Sequence, residues 1–206
     1  MSTVLVLTSS ALGAVSVSNQ LVQDAIAQLR LQDPHLRVIP RDLGGNPIPH
    51  LTVESAAALR GSEPANAAQA VARALSDELI AELKAADALV VGAPMYNFGI
   101  ASTLKTWFDH VLRAGITFKY SESGPVGLLE GKRVIVIETR GGLYSEGPAQ
   151  MMDSQEPHLR HLLSFMGITN VKFFRAEKLA FGSGGARTGH QCRKRTTRRS
   201  DSERIF

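Results

Sequence analysis

The chain has 206 residues, 44% of them hydrophobic and 20% charged, which suits one domain with a sizeable core and excludes wholesale disorder. No apolar run reaches the roughly 18 residues of a membrane span, and the start, Met1-Ser2-Thr3-Val4-Leu5, has no basic leader region, so a cytoplasmic protein is expected. A lone cysteine, Cys192, excludes an internal disulfide and a cysteine-built metal site.

The formal net charge of +4 is unevenly spread. Residues 183–206 hold seven Lys/Arg against Asp201 and Glu203, while the rest hold 16 basic and 17 acidic residues. The basic character belongs to the final stretch, so nucleic-acid binding by the whole chain is not expected.

Thr3 to Thr8 is a short β-branched and apolar run, the mark of a strand covered on both faces. Small residues follow, and Val22, Ala25, Ile26 and Leu29 then predict a helix over 19–31. Leu36 to Pro40 reads as a weaker second strand. Residues 42–65 are rich in Gly, Pro and Asn and read as a long connector, the kind that often carries function. Leu75, Leu79, Ile80 and Leu83 predict a helix over 66–85, and Ala88 to Ala93 a third strand. After Pro94-Met95-Tyr96-Asn97-Phe98-Gly99, the residues Leu104, Trp107, Phe108 and Val111 mark a helix, on which Asp109 and His110 read as surface residues. Arg133 to Ile137 is a fourth strand. A helix around Leu159, Leu162, Leu163 and Met166 ends at Gly167, a common helix-ending residue, and Asn170 to Arg175 is the fifth strand.

Five strands alternating with helices predict an α/β fold: a doubly wound, five-stranded parallel sheet of order 2-1-3-4-5 with helices on both faces. Its ligand site lies at the carboxyl ends of the strands. Past Leu179 apolar periodicity stops. Residues 1–182 are expected to form the domain, and 183–206 a disordered basic tail where a closing helix belongs.

Three loops at that rim carry candidate chemistry. After strand one, hydroxyls at Ser9, Ser10, Ser16 and Ser18 precede a helix whose free N–H groups and dipole suit a terminal phosphate. A G-x-G-x-x-G dinucleotide motif is absent; the alternative is a solvated loop with Ser18 as helix cap. After strand three, Tyr96 and Phe98 offer flat apolar surface, and Asn97 offers hydrogen bonds. A flavin ring needs that mixture, although both aromatics also suit a core. After strand four, Thr139-Arg140-Gly141-Gly142 permits close backbone approach, and Arg140 suits the negative charge of a reduced flavin; a plain turn is the alternative.

These residues resemble a family. Ser9-Ser10 with Ser16-Val17-Ser18-Asn19-Gln20-Leu21, Arg41-Asp42-Leu43 with Asn46-Pro47-Ile48-Pro49, Ala93 to Phe98, and Arg140-Gly141-Gly142 are similar to the bacterial FMN-dependent NADH:quinone oxidoreductases, also called FMN-dependent NADH-azoreductases. The resemblance runs from about residue 3 to 182. It implies a flavodoxin-like fold and a homodimer with one FMN per subunit at the interface. It further implies a phosphate site at Ser10, Ser16, Val17 and Ser18, and an isoalloxazine site at Met95, Tyr96, Asn97, Phe98, Thr139, Arg140, Gly141 and Gly142. Thr139 stands where the family usually has Ser. Beyond Phe181 the family continues as an Ala- and Glu-rich helix, which the basic stretch replaces here. A shifted reading frame is the hypothesis for that change, and resequencing that returns the same frame removes it.

The implied turnover is ping-pong: NADH, with NADPH also open, gives hydride to flavin N5, and a quinone or aromatic azo compound then takes two electrons. Phe98, Phe118, Tyr120 and Phe165 are the expected walls of the substrate pocket, Phe165 from the partner subunit, with plain hydrophobic core the alternative for Phe118 and Tyr120. Tyr144 is the candidate proton donor, and solvent serves equally well. His158 and His161 share a helix face without a third ligand, so no metal is expected; His50 is placed near the pocket rim. The competing reading is a flavodoxin-type electron carrier without its own substrate. Such carriers are acidic, whereas residues 1–182 are nearly neutral.

Overall fold

The computed structural model describes residues 2–61 and 63–181; the basic stretch 183–206 lies outside the described residues. Five parallel strands, β1 (Thr3–Thr8), β2 (Arg37–Asp42), β3 (Ala88–Tyr96), β7 (Arg133–Thr139) and β8 (Asn170–Ala176), line up in the order β2-β1-β3-β7-β8. This is the expected 2-1-3-4-5 arrangement of a flavodoxin-like fold.

Strand period two divides the apolar side chains between two layers. Leu5, Leu7, Leu89, Val91, Val134 and Val136 face α3 (Ala67–Ala85), α4 (Ser102–Val111) and α5 (Glu156–Phe165) through Leu79, Leu83, Trp107, Phe108 and Leu159. Val4, Val6, Val90, Ile135 and Ile137 face α1 (Val17–Gln32) through Val22, Ile26 and Leu29. Burial of both sheet faces explains why β1, β3 and β7 read as continuous apolar runs.

The structure departs from the sequence reading in five places. The connector 42–65 contains a helix, α2 (Val53–Arg60), started by a capping box between Thr52 and Ser55. Its Val-Glu-Ser-Ala-Ala-Ala-Leu-Arg sequence has too few large apolar residues to show a helical stripe. Two hairpins were also hidden. Short β4 (Gly99–Ile100) folds back on β3, and β5 (Phe118–Ser121) pairs with β6 (Gly124–Gly127). The cap of α1 is Ser16, whose side chain accepts the Asn19 N–H; Ser18 lies inside the helix. Finally, His110 is buried, not on the surface. Its Nδ1 lies 3.0 Å from the Thr106 carbonyl oxygen, beneath the α3–α4 contact where Ser76 bonds the His110 carbonyl.

Candidate active site

The strand order reverses direction between β1 and β3, and loops leaving their carboxyl ends part there to leave a crevice. The Ser9 hydroxyl donates to the Gly92 carbonyl at 2.8 Å, fixing the root of the first loop on β3. Tyr96 ties the two loops again. Its phenol oxygen accepts the Ala11 N–H at 3.0 Å and lies 3.3 Å from the Ser10 hydroxyl. Tyr96 therefore ties the loops through its hydroxyl, while its ring packs against the hydrophobic core, the alternative open to it in the sequence. An open cleft of about 390 Å³ lies here, lined by Ser9, Ala11, Tyr96, Asn97, Ser102 and Thr103 among others.

At the start of α1, Ser16 and Ser18 are buried and their hydroxyls lie 2.9 Å apart. Ser16 uses its side chain on Asn19 and its carbonyl on Gln20. The N–H groups of Val17 and Ser18 have no acceptor among the described residues. Unengaged amides, hydroxyls and the positive end of a 16-residue helix form a donor set suited to a phosphate dianion.

After β3, Asn97 and Phe98 form a two-residue hairpin turn with φ of +48° and +71°. Positive φ at both central positions is the primed turn that matches strand twist. Asn tolerates it, whereas a Phe there costs about 1 kcal/mol. The Ser154 N–H holds the turn by donating to the Phe98 carbonyl at 3.0 Å. Phe98 remains 40% exposed. Its ring meets Tyr144 edge-on at 5.9 Å between centroids, joining the second loop to the third.

The third loop follows Thr139, which is buried and pairs in register with Pro94. Its carbonyls are occupied: those of Arg140, Gly141 and Gly142 accept from Leu179, Ala180 and Lys178. The N–H groups of Gly141 and Gly142, like those of Asn97 and Phe98, have no acceptor among the described residues. A Cβ on Gly142 would stand 3.0 Å from the Tyr144 ring, so only glycine fits there without displacing the tyrosine. Four unengaged amides beside an aromatic pair suit a planar heterocycle with carbonyl oxygens and ring nitrogens.

Arg140 corrects one expectation. Its side chain does not face the crevice; it is buried beneath the loop as the hub of a polar cluster. Nη2 bonds Glu138 and Asp153, both at 2.9 Å; Nη1 bonds Glu177 at 3.2 Å, and Nε bonds Gln155 at 2.9 Å. Glu177 in turn accepts the Tyr144 and Ser145 N–H groups at 2.8 and 2.9 Å. What this residue presents to the crevice is loop position, not charge. Burial pushes the Glu138 carboxyl up to about 7; Arg140 opposes the rise, and Glu156 and Asp153 add to it. A glutamate closing the apolar run Val134 to Ile137 was the sequence signal for this cluster, but its partners lie on distant segments.

The aromatic set expected to wall one pocket is divided. Phe118 packs on Phe165 at 4.6 Å and on Tyr120 at 5.5 Å. Among the described residues none of these three has a ring contact with Phe98. Tyr120 projects from the β5–β6 hairpin with 73% exposure. His50 is exposed, and His158, half-buried, has its imidazole held below the usual range by burial and Lys105.

Comparison with known proteins bears on the fold and the family. Residues 2–199 match the family described as having a flavodoxin-like fold. An FMN-dependent NADH:quinone oxidoreductase of Hyphomonas neptunium is 58% identical over 182 residues, covering 88% of this chain and 87% of that protein. One from Escherichia coli O157:H7 is 51% identical over 183 residues, covering 88% and 90%. The crystal structure of an azoreductase from Bacillus anthracis str. Sterne superposes with a TM-score of 0.84 at 29% identity, over 93% of this chain and 94% of that one.

Proposed function

We propose, since the chain belongs to the flavodoxin-like family of FMN-dependent NADH:quinone oxidoreductases, that its three-loop crevice holds FMN and passes two electrons at once from NADH to quinones, giving hydroquinones and limiting damage by electrophilic quinones. Aromatic azo compounds are the second substrate class, cleaved to amines with two NADH per bond. The observation that carries this reading is the pairing of two donor sets across one crevice: free amides at the start of α1, and four free amides at residues 97, 98, 141 and 142.

Bound FMN supplies hydride exchange at N5 and storage for the electron pair. The chain supplies the hold. Ser10, Ser16, Val17 and Ser18 take the phosphate. Met95 to Phe98 and Thr139 to Gly142 take the ring, with Phe98 as a wall that excludes water and stacks flat substrates. The Tyr144 hydroxyl, beside Gly142 and on the ring that meets Phe98, would deliver a proton to the reduced product.

Exposed apolar side chains stand on the crevice loops and beyond them in the chain: Leu12 and Val15 after β1, and Met151, 90% exposed, after the third loop. They support a homodimer that covers this rim, with Phe118, Tyr120 and Phe165 lining the partner's pocket. No helix among the described residues is long and apolar enough to cross a membrane.

The test is an absorption spectrum of the purified protein followed by anaerobic NADH titration. Flavin bleaching by NADH alone, reversed by benzoquinone, is expected. Bound flavin that NADH cannot bleach without an added reductase marks an electron carrier instead.

A further inference from the structure

Gln155 lies outside all three crevice loops, just before α5, and is fully buried. Its side-chain amide makes two bonds of opposite sense. Oε1 accepts from Nε of Arg140 at 2.9 Å, and Nε2 donates to the carbonyl of Ala93 at 2.7 Å. A guanidinium only donates and a carbonyl only accepts, so the amide has one possible orientation. Its own backbone is held as well, because the Gln155 N–H donates to Asp153 Oδ1 at 2.9 Å and Asp153 pairs with Arg140.

The two ends of this bridge matter. Ala93 is the last residue before Pro94-Met95-Tyr96, and pairing of β3 with β1 stops one residue earlier, at Gly92. On the other side the ladder with β7 runs on through Ala93↔Glu138 and Pro94↔Thr139, but Pro94 has no N–H to add to it. Arg140 leads directly into Gly141-Gly142. Among the described residues, Gln155 is the side chain that hydrogen-bonds both the end of β3 and Arg140.

We infer that Gln155 is a positioning residue for the flavin ring: where the β3–β7 ladder ends, at Pro94 and Thr139, its amide ties the Ala93 carbonyl to the Arg140 side chain and so fixes how the loops after β3 and β7 leave their strands. This rests on the FMN reading above. A primary amide of this length satisfies both partners; a methionine of equal length satisfies neither. A glutamate bonds Arg140 but cannot donate to Ala93 until it is protonated. The charged groups that bear on its protonation are Arg140, Glu138, Asp153, Glu156, Arg175, which pairs with both Glu138 and Glu156, and, through Arg140, Glu177.

The experiment uses the full chain stripped of flavin. FMN and riboflavin are titrated by fluorescence quenching, with far-UV circular dichroism on each sample. Gln155→Met is expected to weaken both ligands by the same factor, about tenfold for one lost hydrogen-bonded bridge. The ratio of the two dissociation constants, which reports the phosphate, then stays at the wild-type value. Gln155→Glu is expected to bind weakly above neutrality and to approach wild type as the pH falls. Wild-type protein that takes up no FMN overturns the FMN reading and this inference with it. Normal wild-type binding, with both variants unchanged or with only the phosphate ratio altered, overturns this inference alone. Should Gln155→Met fail to fold, Gln155→Glu decides: affinity that runs parallel to wild type across pH overturns the inference.

Discussion

The phenol oxygen of Tyr96 and the hydroxyl of Ser10 lie 3.3 Å apart, although 86 positions separate them in the chain. The same phenol oxygen accepts the Ala11 N–H at 3.0 Å, so one side chain at the end of β3 sets the course of the loop after β1. The loop after β1 and the end of β3 are thereby held at a fixed spacing, which the proposed FMN, with its charged tail and planar head, requires.

Tyr96→Phe removes that hydroxyl and keeps the ring. Loss of one hydrogen-bonded tie, worth about 1 kcal/mol, is expected to raise the FMN dissociation constant roughly fivefold with little change in riboflavin affinity. Parallel titrations of the two ligands check this. An equal loss for both places the tie in ring binding instead.

Phe98 occupies a left-handed conformation that glycine adopts without strain. In Phe98→Gly, relief of that strain and the greater freedom of glycine in the unfolded chain oppose each other at about 1 kcal/mol each. Melting of the apoprotein is expected to stay within a few degrees of wild type. The lost wall is expected to lower kcat/KM for benzoquinone about tenfold; unchanged kcat/KM removes Phe98 from the pocket.

Glu138 gives stability a pH dependence of known sign. Its folded carboxyl, raised by burial to about 7, takes up a proton more readily than the unfolded one. The associated stability is complete below the unfolded value and is lost as pH rises through about 7. The full span is on the order of 3 kcal/mol. Glu138→Gln carries no such proton, so its stability relative to wild type is expected to rise from pH 5 to pH 8. Urea midpoints at both pH values measure the difference; a constant gap contradicts it. Glu177 works in the opposite sense: burial raises it, but bonds from Ser145, Tyr144 and Arg140 outweigh burial and lower it, so its contribution disappears on acidification through that lowered value.

Tyr144→Phe separates proton delivery from ring binding. The Phe98 contact and the fit against Gly142 survive in the variant. Turnover is expected to drop severalfold with FMN content unchanged, as read by flavin absorbance and steady-state rate. Equal turnover assigns the proton to solvent.

Much of this protein was legible in its residue order. Apolar runs at 3–8, 88–93 and 133–137 with helical stripes between them specify a parallel sheet, because each strand and helix shows its buried face as a local period. The serine-rich start of α1 and the Met-Tyr-Asn-Phe and Arg-Gly-Gly segments marked the crevice for the same reason: each is a contiguous piece of chain. The turn at Asn97-Phe98 escaped detection because a phenylalanine replaces the glycine that usually signals it. Sequence alone points the Arg140 side chain at the crevice, and the fold buries it beneath the loop, for a different reason. Its partners Glu138, Asp153, Gln155 and Glu177 come from three separate segments, and their meeting depends on how β7, α5 and the end of β8 pack. A buried charge is placed by whichever groups can neutralise it, and only the folded chain determines which of them come within reach.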